Sequence, residues 1–147
     1  DVQLRFADID TAAIVGAVLD ANVPLADRKG QLLLYHGPDS LTARGDPDRL
    51  REAIDNLVSN AVKYSPPGGR ITVTLSGSEA GHSIAVTDSG PGLTPEDQQR
   101  LFGRFQRLSA TPIVELHGGR ITAANAAPGR GATFTIVLPP ATAGGPS

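Results

Sequence analysis

The sequence predicts an α+β domain, in which a mixed or antiparallel sheet carries helices on one face. Three observations predict it. Residues 46–64 repeat apolar side chains at helical spacing behind a clear start signal. Ile71 to Val86 reads as two alternating strands around a turn, and Ile121 to Leu138 reads the same way. Further strand and helix candidates precede both hairpins, so the order is not that of a purely parallel array.

In chain order, Val2, Leu4 and Phe6 alternate with polar residues, which fits a short edge strand. Asp10 or Thr11 can cap the next helix, whose apolar stripe includes Ile14, Val15, Val18 and Leu19. Leu32-Leu33-Leu34-Tyr35 is a buried-strand candidate, and Leu41-Thr42-Ala43 is another. Asp46 then caps the main helix, with Pro47 at the first position, where no N–H is needed. Its stripe is Leu50, Ala53, Ile54, Leu57, Val58, Ala61 and Val62, and Ser65-Pro66-Pro67-Gly68-Gly69 ends it. Ile71, Val73 and Leu75 lead through the turn-rich Ser76–Gly81 to Ile84 and Val86. Thr94-Pro95-Glu96-Asp97 starts a short helix, with a capping hydroxyl and acidic residues in the first turn. Pro112–His117 forms a helical turn or two ended by Gly118. Ile121–Ala124 and Thr133–Leu138 pair across residues 127–131.

Composition narrows the function classes. A length of 147 residues fits one domain, expected over 1–140, with a Pro/Gly/Ala-rich tail at 141–147 that frays. Net charge is −2 with both signs dispersed, so neither a nucleic-acid surface nor direct membrane contact is expected. The absence of cysteine excludes disulfides and thiolate metal sites. No apolar run approaches the roughly 20 residues of a membrane helix, and no signal peptide is visible, so a cytoplasmic address is expected. The chain begins at Asp1 and not Met, and is expected to be part of something longer.

Two stretches carry chemistry. On the main helix, Glu52, Asn56, Ser59, Asn60 and Lys63 stand three or four apart and line one side. Amide oxygens are hard ligands that suit Mg²⁺ beside water and phosphate, and Lys63 could offset phosphate charge. A plain solvated face fits the helix alone equally well. The strand Ser83–Val86 runs into Thr87-Asp88-Ser89-Gly90-Pro91-Gly92-Leu93. A carboxylate followed by two glycines lets the backbone approach a planar or phosphorylated ligand, and ionised Asp88 suits an exocyclic amine. Alone, this is also a common turn.

Together the two stretches resemble the ATP-binding domain of sensor histidine kinases, within the gyrase/heat-shock/kinase/mismatch-repair ATPase superfamily. Residues 46–64 resemble its N box; Asp88, Gly90 and Gly92 its first glycine box; and Leu101-Phe102-Gly103-Arg104-Phe105 its F box. Residues 115–121 and Gly131-Ala132-Thr133-Phe134 resemble the closing segments. The resemblance implies a two-layer α/β sandwich of the Bergerat type, and Mg²⁺-ATP held for transfer to a histidine on a separate dimerisation domain of the same kinase. A response regulator receiver domain would take the phosphate next. It also implies a cytoplasmic module, free or as part of a membrane-bound sensor.

Roles follow residue by residue. Asn60 is the implied Mg²⁺ ligand, with Asn56 beside it directly or through water, and Asn56, Asn60 and Lys63 form the implied catalytic set. ATPase branches of the superfamily carry a glutamate base at the Asn56 position. An amide cannot take a proton, so poor hydrolysis and transfer to a protein acceptor are expected. Glu52, one turn before Asn56 and the only nearby carboxylate on that face, reads first as a surface charge. Lys63 meets a phosphate, while Tyr64 packs on adenine or ribose, or caps the core. Asp88 accepts the adenine amine, with Gly90, Gly92, Leu93 and Phe105 around the nucleotide. Thr133 either reaches the adenine end through a water or is an ordinary strand threonine. Phe102 and Phe105 either dock the phosphoacceptor helix or pack in the core, and Arg104 and Arg107 read first as surface charges. His36, His82 and His117 do not fit a phosphoacceptor; His117 reads as a helix terminator.

The pattern breaks in two places. The phosphoaccepting histidine, on a dimeric helical hairpin, is expected N-terminal to this segment and is not found within residues 1–147. Between Phe105 and Val114, the family carries a lid ending in G-x-G-L-G-L, which meets phosphate at a helix N-terminus; here only residues 106–113 intervene. A sequence lacking its lid residues is the favoured explanation, beside deliberate removal and a degenerate kinase. The rivals are a nucleotide-binding pseudokinase or regulatory module, an ATPase of the gyrase type, and a serine kinase on the same site.

Overall fold

The computed structural model describes residues 4–78, 81–88, 96, 110–127 and 130–139, with side chains described outside 123–132. The elements are β1 (Ala7–Asp10), α1 (Thr11–Arg28), β2 (Leu32–His36), β3 (Thr42–Gly45), α2 (Pro47–Tyr64), β4 (Arg70–Ser78), β5 (Gly81–Asp88), α3 (Ala110–Leu116), β6 (Arg120–Ala127) and β7 (Arg130–Leu138). The five-stranded sheet has the order β2-β4-β5-β7-β6, while β1 and β3 form a separate antiparallel pair. Among the described strands, only β2 with β4 runs parallel within the larger sheet, starting from Leu32 opposite Arg70. It is therefore mixed, as expected.

One sheet face is buried and the other is not. Ile71, Val73, Leu75, Ile84, Val86, Phe134, Ile136 and Leu138 are buried, and the residues between them are half-buried or exposed. The helices cover that face with Val15 and Val18 of α1, Leu50, Ile54, Leu57, Val58 and Val62 of α2, and Ile113 and Val114 of α3. These side chains form one continuous core. The helix layer and the sheet are the two layers that the sequence predicts.

α2 spans Pro47–Tyr64 behind the Asp46 cap. The other elements shift in detail. The Val2/Leu4/Phe6 alternation does not make a strand over the described residues, which begin β1 only at Ala7. Phe6 instead sets its ring edge-on to His117, with centroids 5.5 Å apart. Asp10 wins the cap of α1 over Thr11, taking Ala12 N–H at 3.1 Å. The same carboxylate takes Leu41 N–H at 2.9 Å, which draws the chain before β3 alongside β1. α3 begins two residues before the expected Pro112, and the β6–β7 ladder runs on to Ala127 opposite Arg130. Gly118 ends α3 with φ +80°, a conformation that glycine adopts without strain. The helix start at Thr94, the F-box stretch and the tail lie outside the described residues, Glu96 apart.

Candidate functional site

α2 and the end of β5 build the site. Asp88 is the last residue of β5 and pairs with Ile71, the second residue of β4. Because β4 begins six residues after Tyr64, this register puts Asp88 at the sheet end that receives the last turn of α2. Strand alternation puts Asp88 on the same face as Ile84 and Val86, which is the face the helices cover. It is only 6% exposed. A carboxylate drawn this far from water is costly without polar partners, so one at a strand end belongs to a place built for hydrogen bonding.

Along α2, Asn56, Asn60 and Tyr64 are half-buried and Lys63 is exposed, one helical row from the fully buried Leu57 and Val58. The Lys63 ammonium lies 5.4 Å from the Tyr64 ring centroid. Glu52 is exposed and pairs with Arg49 at 3.2 Å, so the surface-charge reading of it holds. The last turn of α2 and Asp88 thus lie at one end of the sandwich, with Asp88 on the sheet face that the helices cover.

Thr133 is not brought there. It pairs with Thr87, and the two hydroxyls are 3.1 Å apart on the sheet face opposite Asp88. The residue in register with Asp88 is Ala132, which has no hydroxyl. Thr133 therefore takes its strand-threonine reading. Gly90, Gly92, Leu93, Phe102, Arg104, Phe105 and Arg107 lie outside the described residues.

Both ends of α2 are tied to distant residues. At its start, the Asp46 carboxylate accepts from Asp48 N–H and Arg49 N–H, each at 3.1 Å, and from Arg5 N–H at 2.9 Å. The Arg5 bond is the largest cause holding this carboxyl below its ordinary value. Asp46 N–H in turn donates to His117 Nε2 at 3.0 Å. Nε2 is thus unprotonated, so the proton sits on Nδ1 and is donated to Ile113 O at 2.8 Å. His117 does end α3, as expected, and also fixes that helix to the start of α2.

At its other end, α2 meets two residues that pattern reasoning passed over. The last carbonyls of a helix lack intrahelical partners. Lys29 Nζ donates to Val62 O at 2.8 Å, Lys63 O at 3.0 Å and Ser65 O at 2.7 Å. Gln31, 3% exposed, adds Nε2 contacts to Val62 O at 3.2 Å and Ser65 O at 3.1 Å. Neither residue belongs to a motif, and a Lys-Gly-Gln after a helix reads as a loop. The only sequence signal is a cation near the end of a helix, and it serves a different helix from its own.

The donor chemistry fits a metal that arrives with phosphate. Among the described residues no three of His, Cys, Asp and Glu cluster to hold an ion by themselves. The helix offers neutral amides, so phosphate and water would complete the shell.

Comparison with known proteins agrees with this geometry. Residues 45–142 match the model of the histidine kinase-, DNA gyrase B-, and HSP90-like ATPase family. The sensor-like histidine kinase SenX3 of Mycobacterium tuberculosis is 35% identical over 151 aligned positions, covering 92% of this chain and 37% of SenX3. The chain thus spans little more than a third of that relative's length. Full-length ShkA in complex with AMPPNP superposes with a TM-score of 0.78 at 26% identity, over 99% of this chain and 33% of ShkA. Histidine kinase ThkA in complex with the response regulator TrrA shares the fold, with a TM-score of 0.76 at 21% identity, over 93% of this chain and 42% of that one. The buried carboxylate, the amide face and the matched family model converge: this chain belongs to the histidine kinase-, DNA gyrase B-, and HSP90-like ATPase family.

Proposed function

We propose that the chain is the ATP-binding catalytic domain of a two-component sensor histidine kinase, acting in the cytoplasm. It binds Mg²⁺-ATP and presents the γ-phosphate to a histidine on the dimerisation domain of the same kinase. The observation that carries this is that buried Asp88 ends β5 at the sheet end that receives the last turn of α2, the helix that carries Asn56 and Asn60. Asp88 accepts a hydrogen bond from the adenine amine. The amide oxygen of Asn60 faces the Mg²⁺, with Asn56 supporting it, and Lys63 faces phosphate while Tyr64 flanks the sugar or base. Gly90, Gly92, Leu93 and Phe105 complete the pocket by the family pattern. Mg²⁺ supplies charge neutralisation at the phosphates when bound.

The side chains also say which reaction is disfavoured. Neither Asn56 nor Asn60 can take a proton, and Glu52 is exposed and paired with Arg49. No described carboxylate on this face of α2 is poised to activate water, which favours transfer over hydrolysis. A response regulator is the proposed next acceptor, in keeping with the ThkA–TrrA complex.

Calorimetric titration with an ATP analogue, with and without Mg²⁺, tests the reading. Asp88→Asn is expected to weaken every adenine nucleotide by roughly tenfold or more, the scale of a hydrogen bond to a charged group. Asn60→Ala is expected to remove mainly the Mg²⁺ dependence. A histidine-bearing dimerisation domain added with labelled ATP should then become labelled. Absence of binding by the folded chain, and by a version with a family-length lid restored between Phe105 and Val114, refutes the reading.

A further inference from the structure

We propose that Lys29 is a positioning residue of the nucleotide site, acting through Lys63. The proposal rests on the reading above, in which Lys63 meets phosphate. Lys29 has three N–H donors, and all three find carbonyls of one turn: Val62 O, Lys63 O and Ser65 O, at 2.7 to 3.0 Å. One of these belongs to Lys63 itself, and the other two bracket it. The ammonium also sits where the carbonyl end of α2 concentrates negative partial charge.

The attachment works through the backbone as well. Lys29 closes α1, its N–H bonding back to Ala26 O at 3.0 Å. Its carbonyl accepts Gly68 N–H at 2.8 Å, just beyond α2. Lys29 thus grips the chain on both sides of Ser65-Pro66-Pro67, and the anchor point is itself held. A last helical turn without such a cap frays, because its carbonyls gain water and its residues gain freedom. Lys63 stands in that turn, so fraying would spread the position of its ammonium. A ligand that needs Lys63 in place would then bind in proportion to the ordered fraction.

The test is a double-mutant cycle on the full chain, read by calorimetry with an Mg²⁺-loaded ATP analogue and with adenosine. Lys29→Met is expected to weaken the analogue roughly three- to tenfold, the effect of an ordered fraction falling to between a third and a tenth. Adenosine, which lacks phosphate and meets only Tyr64 of this turn, should lose clearly less than the analogue. In a Lys63→Met background, Lys29→Met should add no more than the loss seen with adenosine, whereas a merely structural role would add in full. Circular dichroism checks the fold, and Lys29→Gln replaces Lys29→Met if the latter does not fold. Unchanged analogue affinity in Lys29→Met, or full additivity, overturns the proposal while leaving the nucleotide site standing. If Lys63→Met itself binds normally, both this proposal and the phosphate role of Lys63 fall.

Discussion

Replacing Asp46 by alanine removes the cap of α2 and one of the ties between the start of the chain and the helix layer. Its carboxylate takes three backbone N–H groups at 2.9 to 3.1 Å, and the residue is 6% exposed. Loss of an N-cap costs roughly 0.5–2 kcal/mol. Stranding the partly buried Arg5 N–H adds about 1 kcal/mol, so the total is about 1.5–3 kcal/mol. In urea, where a domain of this size loses about 1–3 kcal/mol per molar, the midpoint should fall by about 1 M. Asp46→Asn keeps an acceptor at the cap and should cost about half as much. The pair also differs in pH dependence. The folded carboxyl is held below its ordinary value of 3.8, chiefly by the Arg5 N–H. Its stabilising charge is therefore fully present above the unfolded value and is lost as pH falls through the folded one. The gap between the unaltered chain and Asp46→Asn should be flat from pH 7 to 5 and close below pH 4. A midpoint within about 0.3 M for Asp46→Ala, or a gap that stays constant down to pH 3, refutes this account of the cap.

Two further outcomes follow from packing and burial. A Cβ at Gly119 would collide with the Val137 carbonyl oxygen, a backbone atom that cannot step aside. Gly119→Ala should cost about 2 kcal/mol and lower Tm by several degrees in a thermal melt, and an unchanged Tm would contradict that contact. His82 is 8% exposed on β5, and burial pushes its imidazole below the ordinary 6.5. The neutral form is thus favoured in the fold, so stability is complete above the unfolded value and declines as pH drops below it toward the folded one. Urea midpoints measured from pH 7.5 to 5 should show that decline, and His82→Leu should flatten it.

The helix that carries the site could be read from sequence because its signals are local. Asp46, Pro47, the apolar stripe and the Ser-Pro-Pro-Gly-Gly stop all act within a few residues of where they stand, and the observed α2 bounds agree. The β4–β5 hairpin was readable for the same reason. What escaped depends on partners far away. The Val2/Leu4/Phe6 alternation suggested a strand, but Phe6 answers to His117 more than a hundred residues on, and the pairing begins one residue later. Thr133 could not be given a sheet face without knowing its register with Thr87. Lys29 and Gln31 reach carbonyls more than thirty positions ahead, and no pattern in their own neighbourhood predicts it.

The parallel pairing of β2 with β4 has its own consequence for how ligands would be detected. A parallel pair needs a long crossover, and here β3 and α2 are that crossover, closed by Leu32 N–H on Gly69 O at 3.0 Å. The helix proposed to face the nucleotide is thus a structural span of the sheet and not an appendage. Its central turns bury Ile54, Leu57 and Val58 in the core, so their amides should exchange with deuterated water mainly when the whole domain opens. A nucleotide gripped by α2 would then slow exchange across the sheet as well as at the residues it touches. Binding would be audible throughout the molecule.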